Sequence, residues 1–140
     1  MTRTAKAISP QEALIYAMVT LSAADRTMTD RELKKTGDVV QTLPVFADFD
    51  REKLVPAAEA CGTILQDDDG LDKVLDIIAT VVPAKLHETA YALAVEVAAA
   101  DLHVEQEELR FLQMLRDRLD LDPLTDASID RGARARLRTL

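Results

Sequence analysis

The sequence predicts an all-α domain of about seven helices, and three observations predict it. Apolar residues recur at helical spacing through most of the chain, as in Leu14, Met18 and Leu21, or Leu86, Ala90, Leu93, Ala94 and Val97. No stretch alternates polar and apolar residues with period two over strand length, and no Asn-Gly or Asp-Gly pair joins two strand-like runs. The composition is dominated by Ala, Leu and Val, is only 4% aromatic and contains no Trp, a balance that favours helices over sheets.

Each element has its own justification. Ser9-Pro10-Gln11-Glu12 is a helix start: Ser9 caps, Pro10 suits the first helical position and Glu12 completes a capping box. The helix it opens runs to about Ala24. Thr29-Asp30-Arg31-Glu32 is a second capping box, opening a helix that buries Leu33, Val40 and Leu43 and ends before Pro44. Residues 50–65 read as a third helix, in which Pro56 requires a kink or a later start because it lacks a backbone N–H. Asp67-Asp68-Asp69-Gly70 breaks the chain before a fourth helix with Leu71, Val74, Leu75 and Ile78 on one side. Pro83 stands at the start of the fifth. The sixth runs from about Val104 to Leu119 with Leu109, Leu112 and Leu115 inward, and the seventh from Thr125 or Asp126 to about Leu137.

The chain of 140 residues has the length of one domain, with residues 1–8 as a short flexible lead. It is 48% hydrophobic and 30% charged. At this length about 68% of the unfolded surface is buried on folding, so neither disulfide nor metal is required for stability. The formal charge of −8 argues against nucleic acid as a partner, because phosphate binding needs a basic face. Cys61 is the single cysteine, which excludes an internal disulfide and a Cys-rich zinc site. Residues 1–8 carry no apolar leader, and no apolar run reaches the roughly 18 residues of a membrane helix. A cytoplasmic protein is the expectation.

The chain also repeats. Residues 24–33 align with residues 100–109 at an offset of 76, bringing Asp25 onto Asp101 and Glu32 onto Glu108. Leu43 falls on Leu119 at the same offset. Each copy is helix, short loop, helix, with Asp at the end of the first helix and Glu in the first turn of the second. Two such hairpins, unable to bury their apolar stripes alone, are expected to form a four-helix core, with the segment from Asp50 to about Val82 as accessory helices.

The residues Ala23-Ala24-Asp25, Met28-Thr29 and Glu32, with their echo at 99–108, resemble the tellurite-resistance TerB family. So does Leu86-His87-Glu88-Thr89-Ala90-Tyr91-Ala92-Leu93-Ala94 leading into Ala98-Ala99-Ala100-Asp101. The likeness runs from about Pro10 to Leu121. It implies a helical fold of about seven helices, acidic hairpin loops that form a cation-binding patch, and association with tellurite and other stress-response systems. A related module occurs in membrane-anchored J-domain co-chaperones. The family's loops usually carry Asp-Gly, whereas this chain has Asp25-Arg26 and Asp101-Leu102, which leaves the backbone less free to approach an ion.

Two readings of the loop acids stand side by side. Asp25, Glu32, Asp101 and Glu108 supply only oxygen, and if they converge they suit a hard divalent cation such as Ca²⁺ or Mg²⁺. Alternatively they are helix caps: Glu32 is the third-position Glu of the box begun by Thr29, and acids in a first turn complement the helix dipole. Glu108 is less well explained this way, since Glu105 replaces the capping Thr. Asp67, Asp68 and Asp69 lack EF-hand spacing and read as a helix boundary. His87 and His103 have no catalytic motif partner, and Cys61 reads as a buried small residue. Arg131, Arg134, Arg136 and Arg138 form a basic strip that either complements a helix end or docks an acidic partner or an anionic membrane surface.

With no phosphate-binding loop, activated nucleophile or His–carboxylate motif, the expectation is a non-catalytic module that binds a divalent cation at paired acidic loops. The alternative is a protein-interaction scaffold, co-chaperone-like, whose acids are only caps. Protein partners are expected in either case. Tellurite is an anion that carboxylates repel, so any role in tellurite resistance would be indirect.

Overall fold

The computed structural model describes residues 7–23, 28–100 and 106–140. Those residues form seven α-helices and no strand: α1 (Pro10–Ser22), α2 (Asp30–Thr42), α3 (Leu54–Leu65), α4 (Gly70–Val81), α5 (His87–Ala100), α6 (Gln106–Arg118) and α7 (Pro123–Arg136). Short 3-10 turns at Pro44–Phe46, Arg51–Lys53 and Ala84–Leu86 join them. The predicted all-α class is observed.

α1 starts as its residues dictate. Ser9 Oγ accepts the Glu12 N–H at 3.1 Å, and Glu12 Oε1 accepts the Ser9 N–H at 2.9 Å. From Ala13 to Ser22 every residue is buried. A helix apolar on all sides has to lie inside the fold rather than on it. α1 accordingly packs most extensively against α3, α5 and α4, and more lightly against α2 and α6.

This arrangement differs from the core expected of two paired hairpins. α3 and α4, expected as accessories, cover α1 as fully as α5 does. The physical reason is the breadth of the apolar surface on α1: a second hairpin shields one side, and the remaining faces need the middle segment. α3 supplies Ala57 and Cys61, and α4 supplies Val74, Leu75 and Ile78.

The breakers act as expected. α3 begins at Leu54, so Pro56 falls in its first turn, where the N–H groups have no intrahelical acceptor to lose. Pro44 ends α2 and opens a turn that buries Phe46, whose ring meets Phe49 edge-on at 5.9 Å. Gln11 Nε2 donates to Val45 O and to Asp48 Oδ1, tying that turn to the start of α1.

The last two helices deviate. On α6 the inward residues are Glu108, Phe111 and Leu115, whereas Leu109 is 49% exposed. Phe111 and Leu115 are one turn apart and set the buried phase; Leu109 lies off it. α7 starts two residues earlier than expected, because Asp122-Pro123 repeats the cap-then-Pro device of Ser9-Pro10; Asp122 Oδ1 accepts the Thr125 N–H at 2.9 Å. Between α6 and α7, Asp120 takes a left-handed conformation with φ 56°, and the Leu121 N–H reaches back to Arg116 O at 3.2 Å.

Polar ties lock these outer helices. The Tyr91 hydroxyl of α5 donates to Asp126 Oδ1 of α7 at 2.6 Å, and Arg116 Nη1 of α6 donates to Asp126 Oδ2 at 3.0 Å. Burial, reinforced by the Asp126 carboxylate, pushes the Tyr91 phenol well up. Partial burial of Asp126 works against its ionisation, but the Tyr91 and Arg116 donors outweigh that and hold its carboxyl below the usual range. Arg118 Nη1 of α6 meets Asp76 Oδ1 of α4 at 2.6 Å.

Gly70 is the most tightly enclosed of the four glycines. A Cβ there would come 2.2 Å from Ile64 O and 2.7 Å from Leu65 Cα, backbone that cannot step aside. Gly62 in α3 and Gly132 in α7 have nothing within 4 Å of a built Cβ. Gly70→Ala is therefore expected to destabilise by more than about 2 kcal/mol, through overpacking against backbone. Gly62→Ala and Gly132→Ala are each expected to stabilise by about 0.5–1 kcal/mol, the helix-interior penalty of Gly. Urea unfolding midpoints compared at constant slope check both signs.

Candidate functional site

The two capping boxes that start α1 and α2 are of the same design, and the second bears on the site. Thr29 Oγ1 accepts the Glu32 N–H at 3.1 Å; Glu32 Oε1 accepts the Thr29 N–H at 2.9 Å and the Thr29 hydroxyl at 3.1 Å. Glu32 thus does what a capping residue does. Its cap contacts run through Oε1.

Glu108 occupies the corresponding first-turn position of α6 and is only 3% exposed. A buried carboxylate is costly unless compensated, and the positive end of α6 supplies part of that compensation. Thirteen-residue helices α2 and α6 both present their first-turn Glu to one cleft of about 600 Å³, whose wall also includes Ser22 at the end of α1 and Ala100 at the end of α5. The structure therefore brings Glu32 and Glu108 together across the 76-residue offset. Arg31 and Lys35, both exposed residues of α2, line the same cleft.

Asp25 and Asp101, the other two acids of the expected set, lie outside the described residues, as does His103. Among the described residues, no group of three or more His, Cys, Asp or Glu side chains is gathered closely enough to hold a metal. Only two of the four expected carboxylates fall within that count.

Sequence reasoning missed Ser22. It is 1% exposed, and its Oγ is buried without a hydrogen-bond partner. The readable signal was a hydroxyl on a helix face otherwise apolar, at a position where the second copy carries Ala98. The two buried threonine hydroxyls have partners: Thr20 Oγ1 lies 3.3 Å from Cys61 Sγ, and Thr36 Oγ1 donates to Glu32 O at 3.1 Å.

The remaining candidates divide clearly. Asp67 and Asp69 both pair with Lys73 Nζ, at 2.9 Å and 3.3 Å, and are exposed at the mouth of α4. His87 Nε2 lies 3.0 Å from Val82 O, a local contact at the start of α5. In the basic strip, Arg134 Nε pairs with Asp130 Oδ2 at 2.9 Å, and Arg136 pairs with Glu96 of α5. Arg131 and Arg138 are exposed. The Arg134 pair is internal to α7, and Arg136 alone of the four ties that helix to α5.

Scans against protein-family models, curated proteins and solved structures matched none of them.

Cys61 is fully buried between α1 and α3 residues, and burial pushes its thiol up to about 11, against a smaller opposing effect of the Thr20 hydroxyl. At pH 8 only about one thiol in a thousand would then be ionised. Labelling of the folded protein by a thiol-reactive disulfide at pH 8 is expected to be at least about 100-fold slower than in denaturant. Equal rates in the two conditions would show an accessible thiolate.

Proposed function

We propose that this protein is a non-catalytic, TerB-like helical module that binds a divalent cation where its two hairpins meet. The observation that carries the reading is the shared cleft: two glutamates 76 residues apart in sequence, one of them buried, line it together. Oxygen donors of this kind suit Ca²⁺ or Mg²⁺ rather than a thiophilic metal. Asp101, next in sequence to Ala100 of the lining, and Asp25, three residues after Ser22, complete the expected ligand set. The connection to stress response and tellurite resistance follows the family resemblance and would be indirect, through the cation or a partner.

A second reading has its own observation. Leu109, half exposed on α6, and Leu112 border a cleft of about 350 Å³ whose other wall carries Leu137, Arg134 and Arg138 of the C-terminal region. An apolar floor rimmed by Arg138 and the Arg134–Asp130 pair suits a protein-interaction scaffold, and such a surface is compatible with a cation site elsewhere on the molecule.

Titration of the ¹⁵N-labelled protein with CaCl₂ or MgCl₂ is expected to shift the amide signals of Ser22, Thr29, Glu32 and Glu108 ahead of the rest. Glu108→Gln is expected to weaken that response by about 10-fold or more, since it removes a charged ligand while preserving size. A titration that leaves these four signals in place would sink the cation reading and leave the scaffold reading as the better account.

A further inference from the structure

We infer, independently of the cation-binding reading, that the open face of α3 is a docking seam for a basic amphipathic helix of a partner protein. α3 carries two apolar stripes, where a surface helix needs one. The first runs through buried Ala57 and Cys61, with Leu54 and Ile64 packed against the core in the same phase. The second runs through Val55, Ala58, Gly62 and Leu65, whose spacing is that of a helix–helix seam. Ala58 and Leu65 are only partly buried, and Val55 is 46% exposed.

These four residues line one trough of about 490 Å³, together with Val19 and Ala23 at the end of α1. Met28, Asp30 and Leu33, at the start of α2, line it as well. α2 is held by α1 and the two neighbouring 3-10 turns rather than by α3. The second stripe therefore has no covering helix among the described residues.

The shape of the seam suits a helix. It extends over about three turns, roughly 15 Å at the helical rise. Ala58 and Gly62 stand at its middle, and a Cβ built on Gly62 meets nothing within 4 Å. Small residues at the centre let a helix backbone approach closely, while Val55 and Leu65 offer apolar contact toward the ends.

Charge specifies the sequence of that helix. Asp30 and Glu59 line the trough and are exposed, and no Lys or Arg lines it. Asp67 and Asp69 are paired with Lys73, and Asp38 with Lys34. Asp30 and Glu59 have no ion pair among the described residues. A helix with large apolar residues on one face and Lys or Arg beside them matches both the seam and its acids. The same acids disfavour an anionic membrane surface. A second copy of this chain, at −8 overall, would meet its own charge.

Fluorescence anisotropy of the full chain with a labelled Leu/Lys amphipathic peptide of about 14 residues, long enough to span the seam, tests this. The wild type is expected to bind it at least about 10-fold more tightly than a scrambled peptide of the same composition or a Leu/Glu counterpart. Gly62→Leu fills the seam and is expected to weaken binding by about 10-fold or more. That variant is expected to melt no lower than the wild type, because Leu exceeds Gly in helix propensity. Glu59→Lys is expected to weaken the Leu/Lys peptide and strengthen the Leu/Glu one, which keeps the test decisive if Gly62→Leu folds poorly. Wild-type affinity in Gly62→Leu, or equal binding of the scrambled peptide, would reduce the attraction to net charge and overturn the inference. Failure of the wild type to bind the Leu/Lys peptide would overturn it too. Self-association in sedimentation velocity that Gly62→Leu abolishes would assign the seam to a second copy and overturn the choice of partner.

Discussion

The constraint on which the rest of this structure depends is the burial of α1 on every side. Ten consecutive residues, Ala13 to Ser22, are removed from water. Fully burying side chains such as Leu14, Ile15, Met18 and Leu21 contributes about 1.5–3 kcal/mol each. No partner helix can cover more than a portion of such a surface, so the chain must wrap. α3, α4 and α5 do so most extensively; α6 adds buried Phe111 and Leu115, and Asp126 and Arg118 contacts tie α7 and α6 to α5 and α4. α2, with only Thr36 and Val40 buried, is the most lightly held of the helices that touch α1.

The same constraint builds the candidate site. α1 and α5 pack against one another, and Ser22 and Ala100 at their C-terminal ends line one cleft together with the first turns of α2 and α6. The first-turn glutamates of those two helices then share a cleft. Ser22, the last residue of α1, is drawn into the interior with its helix, and its hydroxyl is buried there without a partner.

Much of this was legible in the residues. Two capping boxes, the Asp-rich break at 67–70, and the prolines at 44, 56 and 83 mark helix limits through local chemistry that needs no tertiary context. That Glu32 and Glu108 line one cleft agrees with their matching places at the 76-residue offset. The role of the middle segment was not legible. The pattern Leu14, Met18, Leu21 reads as one stripe, while Ala13, Ala17 and Tyr16 fill the other faces with residues whose burial a periodicity argument does not weigh. Leu109 was misplaced for a related reason: several Leu residues on α6 fit a helical spacing, and only packing by Phe111 decides which phase faces inward. Ser22 escaped notice because a single Ser in an apolar helix has no motif; its significance lies in what it fails to bond.

Native-state hydrogen exchange measured helix by helix tests the central claim most directly. If α1 is the helix around which the others fold, its amides from Met18 to Leu21 should exchange only through global unfolding, with protection equal to the full unfolding free energy. α2 should open at lower cost. Exchange of α1 through local openings, while α5 or α6 remain fully protected, would contradict the account.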